Sequence, residues 1–229
     1  MDINVVGFGP NTGIETQVDV SHYAARVSPR PFDHVPALGG VAGGHYAIST
    51  QTGLIAAGIA SAAQVFQIRW ADPTKLFIPY RLTAQFATAT GFAATSLGAP
   101  VELIIGHGST ANGSGGTALA PTSISNKMRS SMASTAFATS GEIRIASTAA
   151  LTAATGQTLE PAPIASCAGA PNAAISQSVP YDLIRLSDLG NHPLVLNAGD
   201  TLAIRTNSPA ATGTWYMFLT MEWLETAAF

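Results

Sequence analysis

Histidine is the residue that proteins use most often to bind metals and move protons, and this chain has five. They are His22, His34, His45, His107 and His192. No two are spaced as His-x-x-x-His or His-Glu-x-x-His, which would place two zinc ligands on one element. Asp33 precedes His34, but in a proline-rich stretch where a rigid ligand shell is hard to build. Unless distant residues converge in the fold, the sequence predicts no metal site and no other cofactor.

Nucleophilic catalysis also lacks a sequence signature. There is no Gly-x-Ser-x-Gly, and Cys167 in IASCAGAP has no basic neighbour that would lower the pKa of its thiol. As the only cysteine it cannot form an intrachain disulfide, so we predict a structural role. Carboxylates for glycoside hydrolysis can be drawn from Glu102, Glu142, Asp182 or Asp188. These patterns favour a protein that is not an enzyme; a hydrolase with a site assembled across loops is the alternative.

Residues 106–116 (GHGSTANGSGG) resemble a phosphate-binding loop in composition only. A Walker-type loop needs Gly-Lys-Ser/Thr followed by a helix, because the lysine and hydroxyl complete the phosphate and metal contacts. No lysine is present here. The stretch therefore predicts a flexible surface loop.

The rest of the chain is dominated by strand patterns. Period-2 alternation with β-branched and aromatic residues predicts strands separated by Gly, Pro, Ser and Asn breaks. The segments are HYAISTQT (45–52), AAQVFQIRW (62–70), KLFIPYRLTAQFATAT (75–90), PVELIIG (100–106), EIRIAS (142–147), VPYDLIRL (179–186) and TWYMFLTMEWLE (214–225). Residues 191–209 (NHPLVLNAGDTLAIRTNSP) add a predicted β-turn-β unit. About nine strands without a βαβ rhythm predict an all-β antiparallel sandwich or jelly roll spanning residues 45–229.

Residues 1–44 differ from this pattern. Four prolines and the closing LGGVAGG exclude a long helix or a central strand, which predicts an extended N-terminal arm or linker. Its apolar residues, among them Phe8, Tyr23 and Phe32, are too many for a solvated tail, so we expect it to pack along its own domain or a neighbour. A disordered terminus is the alternative.

Charged residues make up only 10% of the chain, against roughly 25% in average proteins. Small uncharged residues must cover the surface instead, which suits contact with neighbouring subunits; a monomer with a Ser/Thr-rich exterior is the alternative. Eight of the ten basic residues are arginines, which interfaces favour over lysine. The final strand is apolar on both faces at its start, through Tyr216 and Phe218, which predicts a central core strand, with coverage by another chain as the alternative. The predicted interface residues are Phe8, Tyr23, Arg26, Arg30, Phe32, Tyr216 and Phe218.

Other partners and compartments are less compatible with the sequence. The net charge of −3 with scattered arginines argues against nucleic acid. The most apolar run, LIAAGIASAA (54–63), is shorter than the ~20 residues that cross a bilayer. The start, MDINVVGFGP, lacks the features of a signal peptide, so we expect synthesis in the cytoplasm.

From about Arg30 onward the chain resembles a family of tailed-bacteriophage virion proteins. The resemblance rests on GGHYAIS (43–49), TGLIAAG (52–58), VFQIRW (65–70), GSGGTA (113–118), NKMRSSM (126–132), EIRIASTAALTAATGQTL (142–159) and GTWYMFLTMEWLE (213–225). Each motif is weak alone, and their order is more specific. At the penultimate turn this chain has Ala198-Gly199-Asp200, where many members have Glu-Gly. No role tied to that turn is therefore carried over.

The resemblance implies a structural component of the virion and carries no catalytic residue to this chain. We expect a capsid decoration, or cement, protein that binds the major capsid protein and copies of itself, with a trimer as one compatible arrangement. The alternatives are a tail or head-fibre component, or a carbohydrate-binding adhesin in which Trp70, Trp215 or Trp223 stacks on sugar rings. Core packing is the simpler explanation for these tryptophans, because each lies in a strand pattern.

Overall fold

A computed structural model describes residues 17–19, 24–26, 44–56, 59–94, 101–121, 126–128, 130, 132–167, 176–185, 193–206 and 210–227. The strands in these residues are β1 (Gln17–Asp19), β2 (Ala24–Arg26), β3 (Gly44–Gln51), β4 (Ile55–Ala56), β5 (Gln64–Arg69), β6 (Leu76–Thr88), β7 (Ala93–Ala94), β8 (Val101–His107), β9 (Thr117–Leu119), β10 (Glu142–Ile145), β11 (Thr158–Leu159), β12 (Ala165–Cys167), β13 (Ser176–Gln177), β14 (Tyr181–Arg185), β15 (Thr201–Thr206), β16 (Ala210–Thr212) and β17 (Thr214–Thr226). One 3₁₀ turn, Ala136–Ala138, interrupts them. Two antiparallel sheets pack against each other, so the predicted all-β sandwich is confirmed.

Sheet I has seven strands in the order β11-β8-β15-β5-β10-β9, and β12 also pairs with β8. Its inward face is apolar in the rows of paired residues that pass through β5. Ile68 lies opposite Leu202 and Ile143, and Phe66 lies opposite Ile204 and Ile145. The alternation of these residues with polar neighbours places the polar ones on the outward face.

Sheet II has six strands in the order β13-β6-β17-β3, with β14 pairing with β6 and β4 with β17. The long central strand β17 points Trp215, Met217, Leu219, Met221 and Trp223 into the core, where each is nearly or fully buried. The prediction of a central core strand is therefore confirmed. The register between β17 and β6 shifts beside Pro79, where a proline without an N–H fits an irregular ladder.

Three sequence predictions need correction or refinement. Within the described part of the predicted β-turn-β unit, residues 193–206, the two arms do not pair with each other: Leu196 bridges to Phe77 of sheet II, whereas β15 pairs in sheet I, so the turn connects the two sheets. The described residues hold more than nine strands, because several strands of two or three residues add to the long ones. Within the predicted arm the described strands β1 and β2 pair with each other, and β3 begins at Gly44.

Candidate functional site

A cluster of three ionisable groups lies at one end of sheet I. Nδ1 of His107 is 2.7 Å from Oδ1 of Asp200, and its Nε2 is 3.0 Å from Oε1 of Glu160. His107 ends β8, Glu160 follows β11, and Asp200 immediately precedes β15. Since β11 and β15 flank β8, strand pairing brings these three residues together. We call them the His107 cluster.

The His107 cluster is not arranged for nucleophilic catalysis. Both ring nitrogens face carboxylates, and the hydrogen bond with Asp200, assisted by Glu160, raises the pKa of His107 above its ordinary value. The nearby Ser109 hydroxyl donates to the Gly199 carbonyl at 2.7 Å and accepts from Nε of Arg69 at 3.1 Å. No imidazole nitrogen is therefore placed to activate Ser109, as a catalytic triad requires.

A second cluster surrounds the buried carboxylate of Glu225, near the end of β17. Glu225 accepts hydrogen bonds from the Thr135 hydroxyl, the Ala136 backbone N–H and Nε1 of Trp223, and it lies 3.6 Å from Nζ of Lys75. Each of these donors satisfies a charge that would otherwise be costly to bury. The carboxylate fixes the start of the 3₁₀ turn to β17.

That turn belongs to a segment that caps the core, formed by the described residues between 126 and 140. Phe137 inserts between Trp70, Phe77 and Trp223, with ring centroids 5.0–5.7 Å apart. The Tyr46 hydroxyl donates to the carbonyl of Ala133. Burial, with the nearby Glu225 charge, raises the pKa of Tyr46. The described residues of this segment are irregular apart from the 3₁₀ turn and are anchored by single side chains.

The carboxylates proposed for glycoside chemistry are separate and paired with arginines. Glu102 lies 2.8 Å from Arg205, and Glu142 lies 2.7 Å from Arg144. β8 and β10 are three strand spacings apart, which is about 14 Å across the sheet, beyond the roughly 5–10 Å that the mechanism needs.

Asp182 lies in the other sheet, where it accepts hydrogen bonds from Thr83 and Arg81. The Thr83 hydroxyl, with help from Arg81, lowers the pKa of Asp182. Asp188 lies outside the described residues. The structure therefore brings no two of the four candidate acids together among those it describes.

The arginines that the structure describes with side chains bond within the chain. Arg69 donates to Ser109 and Asn112, and Arg144, Arg205, Arg81 and Arg185 face carboxylates. The abundance of arginine is thus explained in part by intramolecular pairing, and not by contacts with neighbours alone.

The glycine-rich loop is built differently from the prediction. Its backbone bridges to residues 150–157 through Ala111–Thr155 and Ser114–Thr152. Beneath it lie the buried side chains of Gln64 and Gln67, with a hydrogen bond of 2.7 Å between them. The loop is at the surface, as predicted, but it packs on the outward face of sheet I.

Cys167 is half-buried at the end of β12, and burial raises the pKa of its thiol to about 11. The structural role predicted for it is compatible with that environment.

His45 lies 3.5 Å from Glu222 and edge-on to Tyr80. Among the described residues, no group of three His, Cys, Asp or Glu side chains could hold a metal ion.

The predicted interface residues fall into two groups. Phe8, Tyr23, Arg30 and Phe32 lie outside the described residues, and Arg26 is described only as part of β2. Tyr216 and Phe218 lie on the outward face of sheet II; Phe218 is 37% exposed and Tyr216 is half-buried.

Trp70, Trp215 and Trp223 are buried in the core, so none is available to stack on a sugar.

Sequence analysis missed the His107 cluster, Glu225 and the buried glutamines. Glu225 could have been found from the sequence. It continues the every-second-residue pattern of the inward-facing residues Trp215 to Trp223 on β17, so alternation alone would have placed a charge in the core. No local pattern connects His107 with Asp200, because they are 93 residues apart.

The fold and these contacts define a class: an all-β sandwich whose described ionisable groups mainly hold its own segments together. No protein-family model matches the chain, and no curated protein or solved structure is significantly similar to it. No helix among the described residues is long and apolar enough to cross a membrane.

Proposed function

We propose that the chain is a non-enzymatic structural protein of a bacteriophage virion, a decoration protein that binds the assembled head and stabilises it. Its partners would be the major capsid protein and copies of itself. The observation that carries the proposal is the outward face of sheet II, where the exposed Phe218 and the half-buried Tyr216 lie among hydroxyl and amide side chains.

This face follows from the strand register. Phe218 lies opposite Gln51 on β3 and Gln85 on β6, and residues directly opposite each other project to the same side of a sheet. The next outward row is Ser49, Thr220 and Thr83. We call these residues, together with Tyr216, the outer patch.

The chemistry of the outer patch suits burial against another protein. Hydroxyl and amide groups are less costly to desolvate than charges, and aromatic residues are enriched in interface cores. The charged residues of this face border the outer patch: Glu222 is opposite Arg81, and Asp182, which is opposite Thr83, pairs with Arg81 and Arg185. Many such contacts, repeated by the symmetry of a shell, would add stability without any single strong contact.

The resemblance to tailed-phage virion proteins supports the same proposal. Its motifs GGHYAIS, VFQIRW and GTWYMFLTMEWLE coincide with β3, β5 and β17, so the shared residues include framework strands of both sheets. A tail or head-fibre component remains the second candidate within the virion, since the same motifs apply to it.

Co-sedimentation with expanded heads that lack this protein tests the proposal. The wild type should sediment with the heads, and the double variant Tyr216→Ser, Phe218→Ser should lose most of that binding while retaining its thermal unfolding midpoint within a few degrees. Ile164→Ser is the matched control, because it removes an exposed apolar side chain outside the outer patch. Recovery of the wild type in tail fractions only, with no binding to heads, would overturn the assignment.

The predicted arm is tested with a chain that begins at Gly44, where β3 starts. If the arm clamps a neighbour, this chain should fold and yet bind heads more weakly than the full chain. Equal binding by the two chains would remove the arm from the proposal without affecting the outer patch.

A further inference from the structure

We propose that His107 is a pH-dependent clip between three segments of sheet I. When both ring nitrogens carry a proton, the imidazole holds both neighbouring carboxylates; when one nitrogen loses its proton, it releases one of the two carboxylates. The inference is independent of the proposed function. It rests on the positions of the two carboxylates around one imidazole.

The geometry favours the doubly protonated ring. Nδ1 lies 2.7 Å from Asp200 and Nε2 lies 3.0 Å from Glu160, both within hydrogen-bond distance of a carboxylate oxygen. A carboxylate only accepts hydrogen bonds, whereas a neutral imidazole has a single N–H to donate. In the neutral ring one nitrogen lone pair would therefore face a carboxylate, and that contact would become repulsive.

The charged groups around the ring reinforce this preference. Asp200, from the turn before β15, and Glu160, after β11, face the ring from the two strands that flank β8. Arg69 of β5 directs its guanidinium at Ser109 and Asn112 of the following loop. The hydrogen bond with Asp200 raises the pKa of His107, so the doubly protonated ring persists to higher pH than in an unfolded chain.

The clip controls the glycine-rich loop and the turn beside it. The loop starts directly after β8, and the Ser109 N–H donates to the Gly199 carbonyl at 2.9 Å, next to Asp200. The Asp200 carboxylate also accepts from the Asn197 N–H at 2.8 Å, which fixes the turn. Release of one carboxylate therefore removes one of several anchors of this region, which the bridges Ala111–Thr155 and Ser114–Thr152 also hold.

The sign of the pH effect follows from the raised pKa. The stabilisation by the clip is fully present below the pKa of histidine in the unfolded chain, about 6.5, and is lost as pH rises through the higher folded value. His107 and Glu160 are about half exposed, so solvent screens their attraction and the pair contributes little to stability. Opening of residues 106–116 should increase roughly two- to fivefold between pH 5.5 and 8.5.

Hydrogen exchange of the full chain at these pH values, corrected for intrinsic exchange rates, tests the proposal, with His107 followed by NMR titration. The wild type should show the increase in opening, and His107→Gln should show none. Glu160→Gln should lower the titration midpoint of His107 and is the preferred variant, because Asp200→Asn also disturbs the turn. The same pH dependence in His107→Gln, or a midpoint equal to that of the urea-unfolded chain, would overturn the proposal.

Discussion

The Thr135 hydroxyl donates a hydrogen bond to the carboxylate of Glu225, across 90 residues of sequence. Thr135 caps the 3₁₀ turn Ala136–Ala138, and Glu225 lies near the end of the central strand β17. The pair attaches an irregular segment to the most regular part of the sandwich. It also places a carboxylate in the core, where the surrounding donors and Lys75 compensate for its burial.

Glu225→Gln is expected to lower the free energy of unfolding by about 3 kcal/mol, because it removes the buried negative charge 3.6 Å from Lys75 and turns one accepting oxygen into a donor. Urea denaturation followed by tryptophan fluorescence measures the change. Glu222→Gln on the same strand is the matched control and should change stability by less than about 1 kcal/mol, because Glu222 is partly exposed. Equal effects of the two substitutions would contradict the role assigned to Glu225.

Phe137→Ala is expected to cost about 3–5 kcal/mol, the range for removing a buried aromatic ring from a packed core. The ring contacts both Trp70 and Trp223, so the native tryptophan emission should also shift to longer wavelength. Met128→Ala is the control, since Met128 is 54% exposed and should change stability by about 0.5 kcal/mol or less. Unchanged emission in Phe137→Ala would show that the segment does not cap the aromatic core in solution.

The strands could be predicted from sequence where alternation persists over enough residues. β3, β5, β6, β8, β10, β14, β15 and β17 all fall within predicted segments or extend one residue beyond them. The strands that were missed, such as β4 and β11, have two residues each, too few for a period to be recognised. Their pairing is imposed by the neighbouring long strands and not by their own residue pattern.

Sites that depend on strand order could not be predicted in the same way. His107 meets Asp200 only because β8 and β15 are neighbours in sheet I, and sequence alone did not give that order. The partners of the predicted β-turn-β unit were missed for the same reason. Leu196 fits a strand pattern, but the pattern does not say that it pairs with Phe77 in the other sheet.

The thiol of Cys167 is expected to react about 100-fold more slowly with an aromatic disulfide reagent at pH 8 in the native chain than in guanidinium. The reason is its pKa of about 11, since only the thiolate is nucleophilic and the pKa of an unperturbed thiol is about two units lower. The native rate should also continue to rise with pH up to about 11 instead of levelling near 9. A plateau near pH 9 would attribute the slow reaction to steric protection alone.

Gly113→Ala tests whether the glycine-rich loop is packed on sheet I. A Cβ at Gly113 would overlap the Thr152 carbonyl oxygen and the amide oxygen of Gln67, so the loop would have to move away from the sheet. Overpacking of this kind typically costs about 1–3 kcal/mol, measurable by urea denaturation. Ser114→Ala is the control, since Ser114 is exposed and its side chain can shorten without overlap; its effect should stay within about 0.5 kcal/mol. A loop that moves freely over the surface would tolerate both substitutions equally, whereas a loop held by its bridges to residues 150–157 separates them.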